Sequence, residues 1–118
     1  MSLPYILTFA TVILLAVGQV LFKLTAQKMS GKPILEALAT STVLLPFAIA
    51  LAIYGIATML WILALRDLPL GRAYFLMSLS FLIVPTISVL VFAEQFTPGF
   101  AVGGALIVAG ILVTQLWT

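Results

Sequence analysis

One helical face carries the residue types best suited to contact a polar ligand. It contains Tyr74, Ser78, Phe81, Pro85 and Ser88. Their separations of four, three, four and three residues place these side chains on one side of a helix. Hydroxyls, aromatic rings and a proline distinguish this face from its aliphatic surroundings. A buried path for a polar ligand needs such groups, and so does helix–helix packing through interhelical hydrogen bonds. The pattern leaves both interpretations open.

Three further polar residues stand out in apolar surroundings. Gln19 lies inside a long apolar segment, where an amide must find partners, so we expect it to face the bundle or a cavity. Lys23 follows one turn later and could simply extend to the membrane interface. Arg72 places a positive charge on the first turn of the helix that carries the polar face. This charge could bind a ligand, or it could simply pair with Asp67 or with lipid headgroups.

The composition predicts an integral membrane protein. Of 118 residues, 64% are hydrophobic and only 7% are charged, whereas soluble domains carry about 25% charged residues. The absence of Cys and His excludes disulfides, Cys/His zinc sites and His or Cys catalysis. We find no nucleophile–base constellation or phosphate loop, so we expect no enzyme activity and no cofactor. Five cations against three anions are too few for a nucleic-acid interface.

Four segments are long enough to span a bilayer, which requires about 20 apolar residues. We predict one all-α domain, residues 1–118, with helices at about 3–22, 43–65, 73–93 and 100–117. Residues 33–42 form an interfacial helix or extend the second span. Two short connections favour an up-down four-helix bundle. Three cations in the first loop against two in the second leave the membrane orientation open: either both orientations occur or a partner selects one.

The last helix carries a face of small residues. Gly99, Gly103 and Gly110 are spaced by four and seven residues and would let another backbone approach closely. Four short helices enclose little volume, so a path is more plausible between two copies, and we expect a dimer that uses these glycines. Close packing within one monomer is the alternative.

The chain resembles the small multidrug resistance family of the drug/metabolite transporter superfamily over essentially its whole length. The resemblance rests on Gly18 and Lys23, on the stretch Leu-Pro-Leu-Gly-Arg-Ala-Tyr at residues 68–74, and on the pair Gly103 and Gly110. In that family the glycine pair is similar to a dimer-forming motif. The tyrosine that matches Tyr74 contributes to the substrate chamber.

Two departures set the chain apart from the family's exporters. Those proteins carry a membrane-embedded Glu eight residues before the lysine, where this chain has Leu15. The aromatic residue expected three positions after Tyr74 is Met77. Without a buried carboxylate, proton-coupled antiport of an organic cation has no obvious basis here.

The branch that the chain resembles more closely contains the aminoarabinose–undecaprenyl-phosphate flippase subunits. The similar stretches are Gly18-Gln19, Arg72-Ala73-Tyr74 and Ser78-Leu79-Ser80. The resemblance implies a multi-pass transporter of the bacterial inner membrane. It would move a lipid-linked sugar by alternating access, as a homodimer or as a heterodimer with a paralogue. The alternatives are a multidrug-type exporter of small cations with another coupling residue, and a non-transporting scaffold subunit of an envelope glycosylation complex.

A lipid-linked sugar phosphate then suggests a role for each polar residue. Arg72 joins a bidentate phosphate binder to the positive end of a helix dipole, and Lys23 supplies a second charge. The sugar contacts would be Gln19, Tyr74, Ser78 and, although it lies off their face, Ser80. In the middle of its helix Pro85 would act as a bending point for alternating access. Glu94 is either a gating or substrate group or a helix-end residue.

Overall fold

The computed structural model describes residues 2–117, and within that range all regular structure is helical. The helices are α1 (Leu3–Met29), α2 (Ile34–Leu38), α3 (Ser41–Leu65), α4 (Leu70–Met77), α5 (Ser80–Phe92) and α6 (Pro98–Leu116). Four stretches are long and apolar enough to cross a membrane: α1, α3, α4 together with α5, and α6. The predicted all-α fold with four membrane spans is confirmed.

Local sequence signals explain where the helices begin. Prolines stand just before or within the first turn of four helices, where a missing backbone N–H costs least: Pro4, Pro33, Pro69 and Pro98. The start of α6 is also capped, because the Thr97 hydroxyl oxygen accepts a hydrogen bond of 3.2 Å from the Phe100 N–H.

The first two helices differ from the expected boundaries. Helix α1 continues to Met29 instead of ending near residue 22. Residues 23–30 contain no glycine or proline to end the helix, and Thr25 is buried with its hydroxyl bonded to the Leu21 carbonyl at 2.8 Å. The segment 33–42 contains a separate short helix, α2. It is not continuous with α3, because Thr40 adopts an extended conformation between them.

The third span is interrupted. It begins at Leu70 and breaks at Ser78 and Leu79, whereas the sequence predicted one helix over 73–93. Across the break the backbone forms i→i−3 hydrogen bonds, and the Ser78 hydroxyl donates to the Phe75 carbonyl. Such back-bonding bends helices. By contrast, α5 passes through Pro85, so the interruption does not lie at the expected bending point.

Small side chains form the contact between α1 and α3, the most extensive in the protein. The buried residues of the two helices include Thr8, Thr11, Val12, Ala16, Val43, Ala50, Ala57 and Ala64. The Thr8 and Thr11 hydroxyls donate to carbonyls one turn earlier in their own helix, so they pack without needing partners on α3. Small residues let two helices approach closely where the lipid offers no hydrophobic driving force.

A close approach lies between Gly18 on α1 and Tyr54 on α3. A Cβ atom at Gly18 would lie 2.3 Å from Cε2 and 2.7 Å from Cδ2 of the Tyr54 ring. The ring therefore rests directly on the α1 backbone. It also stacks on Phe22, with ring centroids 5.0 Å apart and planes inclined by 25°. Only glycine at position 18 leaves room for this arrangement.

Helix α6 is held at its C-terminal end by Arg72 of α4. The Arg72 Nε donates to the Gln115 side-chain oxygen at 3.0 Å, and Nη2 donates to the Gln115 backbone carbonyl at 2.7 Å. In return the Gln115 amide donates to the Arg72 carbonyl at 3.2 Å. The guanidinium also lies at the negative end of the α6 dipole, which is a favourable position for a cation.

We predict that Gly18→Ala destabilises the protein by about 1–3 kcal/mol, because the added methyl overlaps the Tyr54 ring and the helices must separate. The measurement is thermal unfolding of the purified protein in detergent. Gly55→Ala is the matched control: its Cβ meets no atom within 4 Å, and it replaces glycine in a helix interior. The control should be neutral or stabilising. Equal losses in both variants would contradict the close-approach argument.

A second prediction concerns the Arg72–Gln115 pair. Arg72→Ala and Gln115→Ala should each lower the free energy of unfolding by about 1–3 kcal/mol, since each leaves the other residue's polar groups unpaired. The double variant should cost little more than either single change, giving a coupling of about 0.5–3 kcal/mol in a double-mutant cycle. Arg66→Ala, at an exposed arginine, should have little effect. Additive losses would show that the two residues act independently.

Candidate functional site

A polar chamber lies beside the α1–α3 contact, near the middle of the spans, and has a volume of about 420 Å³. It is lined by Leu15, Gln19, Tyr54, Tyr74, Met77, Ser78, Ser80, Phe81, Val84 and Pro85. The volume falls in the range of small-molecule sites. None of these lining residues is Asp, Glu, Lys or Arg, so the chamber presents neutral hydrogen-bonding groups and aromatic rings.

Two polar side chains in the chamber are paired across the helices. The Gln19 amide donates to the Tyr54 hydroxyl, whose ring is already held by Gly18 and Phe22. The Gln19 carbonyl oxygen and the Tyr54 hydroxyl hydrogen keep further bonding capacity. On the opposite wall Tyr74 packs edge-on against Trp61, with ring centroids 6.4 Å apart. The held Tyr54 ring and the oriented amide suit hydroxyl-bearing ligands.

A charged cavity of about 380 Å³ adjoins the chamber. The lining of this cavity consists of Gln19, Val20, Lys23, Val84, Pro85, Ser88, Phe92, Glu94 and Phe100. Three residues belong to both linings: Gln19, Val84 and Pro85. Lys23 and Glu94 are both exposed and bring one positive and one negative charge to this end of the path.

On the other side, Tyr74 is shared between the chamber and a cavity lined by Leu70, Gly71, Tyr74 and Phe75. A groove between α5 and α6 also adjoins the chamber through Phe81 and Pro85. Consecutive cavities therefore follow the third span from the end at Glu94 to the end at Leu70, with the α5–α6 groove as a side branch.

The structure brings most of the predicted site residues into this path. Gln19, Tyr74, Ser78, Ser80 and Pro85 line the polar chamber. The sequence placed Ser80 away from the Tyr74–Ser78 face, but the i→i−3 turn at residues 78–79 rotates the residues that follow it. Arg72 is not among the lining residues, because its guanidinium is engaged by Gln115.

The predicted glycine face has little to do with packing inside the monomer. A Cβ at Gly103 or at Gly110 meets no atom within 4 Å, and one at Gly99 meets only the Thr97 hydroxyl at 3.5 Å. The close intramolecular contact belongs to Gly104, whose Cβ would lie 3.2 Å from Leu82. Gly103 and Gly110 thus leave open space beside α6.

Tyr54 and Gln115 are the contributors that sequence reasoning missed. A tyrosine midway along an apolar span is itself a signal, since its hydroxyl needs a partner in hydrocarbon. The sequence does not say which partner, and the glycine that admits the Tyr54 ring lies on another helix. Gln115, near the end of the last span, likewise has a polar side chain that needs a hydrogen-bond partner.

Comparison with known proteins gives close relatives. The chain is 42% identical over 113 residues to a protein of Pseudomonas paraeruginosa named "probable 4-amino-4-deoxy-L-arabinose-phosphoundecaprenol flippase subunit ArnF", covering 86% of this chain and 82% of that protein. It is 40% identical to the protein of the same name from Pseudomonas aeruginosa, with the same coverage. A Salmonella paratyphi C protein named as the corresponding subunit ArnE is 35% identical over 87 residues, covering 74% of this chain and 78% of that protein.

No protein-family model matches the chain, and no solved structure matches it. The relatives alone decide its classification, because they exceed a third in identity while spanning most of both sequences. The chain belongs to the family of small aminoarabinose–phosphoundecaprenol flippase subunits.

Proposed function

We propose that this chain is a subunit of a flippase that moves 4-amino-4-deoxy-L-arabinose, linked through phosphate to undecaprenol, across the bacterial inner membrane. The observation that carries the proposal is the series of adjoining cavities along the third span, with a neutral polar chamber at its middle and charges at one end. A sugar head needs hydrogen-bonding groups, and a phosphate needs a cation. The path supplies both.

The neutral chamber suits the sugar better than it suits an organic cation. Leu15 and Met77 line it at the positions where exporters of the wider family have a carboxylate and an aromatic ring. A bare cation moved into this low-dielectric space would meet no countercharge. Hydroxyl groups would instead find the Gln19 carbonyl oxygen, the tyrosine hydroxyls and the two serines. This observation disfavours the multidrug-type alternative.

For the phosphate, the available cation on the path is Lys23. We also propose a role for Arg72 at the opposite end, where phosphate would compete with Gln115 for the guanidinium. Both residues would then hold the phosphate in turn, one on each side of the chamber. The break at Ser78 and Leu79, together with Pro85, gives the third span two places to bend between the two states.

The undecaprenyl tail requires an exit toward the lipid. The groove between α5 and α6 provides one, because it adjoins the chamber through Phe81 and Pro85 and its other lining residues are mainly apolar or glycine. A head held in the chamber could therefore keep its tail in the hydrocarbon throughout the movement.

The uneven packing favours a dimer. Within the described residues α5 has no buried side chain and α6 has only Ile111, although both helices border the path. We propose that a second subunit, a copy or a paralogue, packs on the open glycine face of α6 and closes the path. The two subunit names among the relatives agree with a paralogue.

The first test is transbilayer movement of the lipid-linked aminoarabinose in liposomes that contain this protein, alone and with its paralogue. Lys23→Gln should slow movement about tenfold or more at low substrate, since a hydrogen bond to a charged group contributes about 1.5–3 kcal/mol. Lys32→Gln, at an exposed lysine in the loop after α1, is the matched control.

Equal rates in the two lysine variants would remove Lys23 from the site while leaving the function. Absence of movement in every combination would support the scaffold alternative. Efflux of small cations from the same liposomes would support the exporter.

The dimer proposal has its own test. Gly110→Leu should weaken association at least tenfold, measured by cross-linking yield against dilution in detergent, because the side chain would occupy the space of the partner helix. Gly55→Leu is the control, since the added Cβ at either glycine meets no atom within 4 Å in the monomer. Unchanged association in Gly110→Leu would place the interface elsewhere.

A further inference from the structure

The charged cavity is lined by two side chains of opposite charge and lies beside neutral surroundings. Lys23 projects from α1, and Glu94 follows the end of α5. The polar chamber next to it and the α5–α6 groove are both lined by uncharged residues. A ligand that moves along this path therefore meets a cation and a carboxylate together at one end.

The local backbone holds Glu94 at the cavity wall. Ala93 adopts a left-handed conformation with φ of 53°, which ends α5 and turns the chain. The Glu94 N–H then donates to the Ser88 carbonyl at 3.3 Å, and Ser88 itself lines the cavity. This turn keeps Glu94 beside the path although the residue lies outside any helix.

The structural alternative for Glu94 is a capping role at the following helix. That role is already filled, because the Thr97 hydroxyl accepts the hydrogen bond from the Phe100 N–H at the start of α6. The Glu94 carboxylate is exposed, and its cavity also contains Lys23. An exposed carboxylate in this position is available to bind a positively charged group.

We infer that Glu94 is a specificity-determining residue that binds the ammonium group of the amino sugar, while Lys23 binds the phosphate of the same head. The inference rests on the proposed function. The head of an aminopentose phosphodiester carries one negative charge on the phosphate and, when its amine is protonated, one positive charge on the ring. A cavity with one cation and one carboxylate is complementary to such a zwitterion.

The same pairing of charges would let the protein distinguish the amino sugar from an analogue without the positive charge. An analogue whose amine is acylated keeps the phosphate and the sugar hydroxyls but loses the positive charge. On binding, it would offer the Glu94 carboxylate one neutral amide N–H in place of a charged ammonium. Hydrogen bonds between oppositely charged groups are the stronger ones, so the acylated lipid should bind less well.

The experiment compares two substrates in liposomes: the lipid-linked amino sugar and the same lipid with an N-acetylated sugar. The wild-type protein, with its paralogue, should move the amino form at least tenfold faster at low substrate. Glu94→Gln should abolish this preference, chiefly by slowing the amino form. Glu36→Gln, at an exposed glutamate in α2 that lines neither the chamber nor the charged cavity, should keep it.

Each result has a distinct meaning. If Glu94→Gln retains the wild-type preference, or the wild type moves both lipids equally, the role of Glu94 is overturned while the flippase function stands. If the wild type with its paralogue moves neither lipid, the proposed function fails and the inference fails with it. Thermal unfolding of Glu94→Gln in detergent separates misfolding from lost recognition, and Glu94→Asp, which retains the charge, should recover part of the preference.

Discussion

The close approach of α1 and α3 at Gly18 is the contact on which the site depends. It lets the Tyr54 ring rest on the α1 backbone, where the ring stacks on Phe22 and its hydroxyl receives the Gln19 amide. In hydrocarbon an unpaired amide is costly, so this bond fixes the orientation of Gln19 as well as satisfying it. Because Gly18 has no side chain, it determines the position of the aromatic wall, the direction of the Gln19 amide and the width of the polar chamber.

The rest of the molecule is packed unevenly, and this bears on the proposed transport mechanism. The α1–α3 pair is tightly joined through small residues, whereas α6 is joined to the remainder largely through α4, α5 and the Arg72–Gln115 pair. Alternating access requires a rigid part and a part that moves against it. In the proposed mechanism the tightly packed α1 and α3 would form the rigid part, and the interrupted third span with α6 would move against it.

The four spans could be predicted from the sequence because apolar length alone specifies them. That Gln19 faces the bundle or a cavity was also predictable, since an amide inside a span needs hydrogen-bond partners. The contacts of Tyr54 and Arg72 were not, because each joins residues far apart in the chain and nothing local names the partner. Ser80 lines the chamber although a regular helical period would place it off the Tyr74–Ser78 face, because the helix departs from that period at residues 78–79. The sequence patterns thus identified the polar residues, and the three-dimensional packing showed which of them contact each other.

The net charge of the whole head group gives a physical reason for the missing carboxylate in α1. An exporter of bare cations must neutralise a net charge inside the membrane, which requires a buried acid. A zwitterionic head has no net charge, so its phosphate and ammonium can partly compensate each other within a neutral chamber, at lower cost than an isolated ion. In the proposed mechanism the groups that recognise charge lie at the ends of the path, with Lys23 and Glu94 at one end and Arg72 at the other. A neutral chamber between charged ends is consistent with a zwitterionic lipid as the proposed substrate.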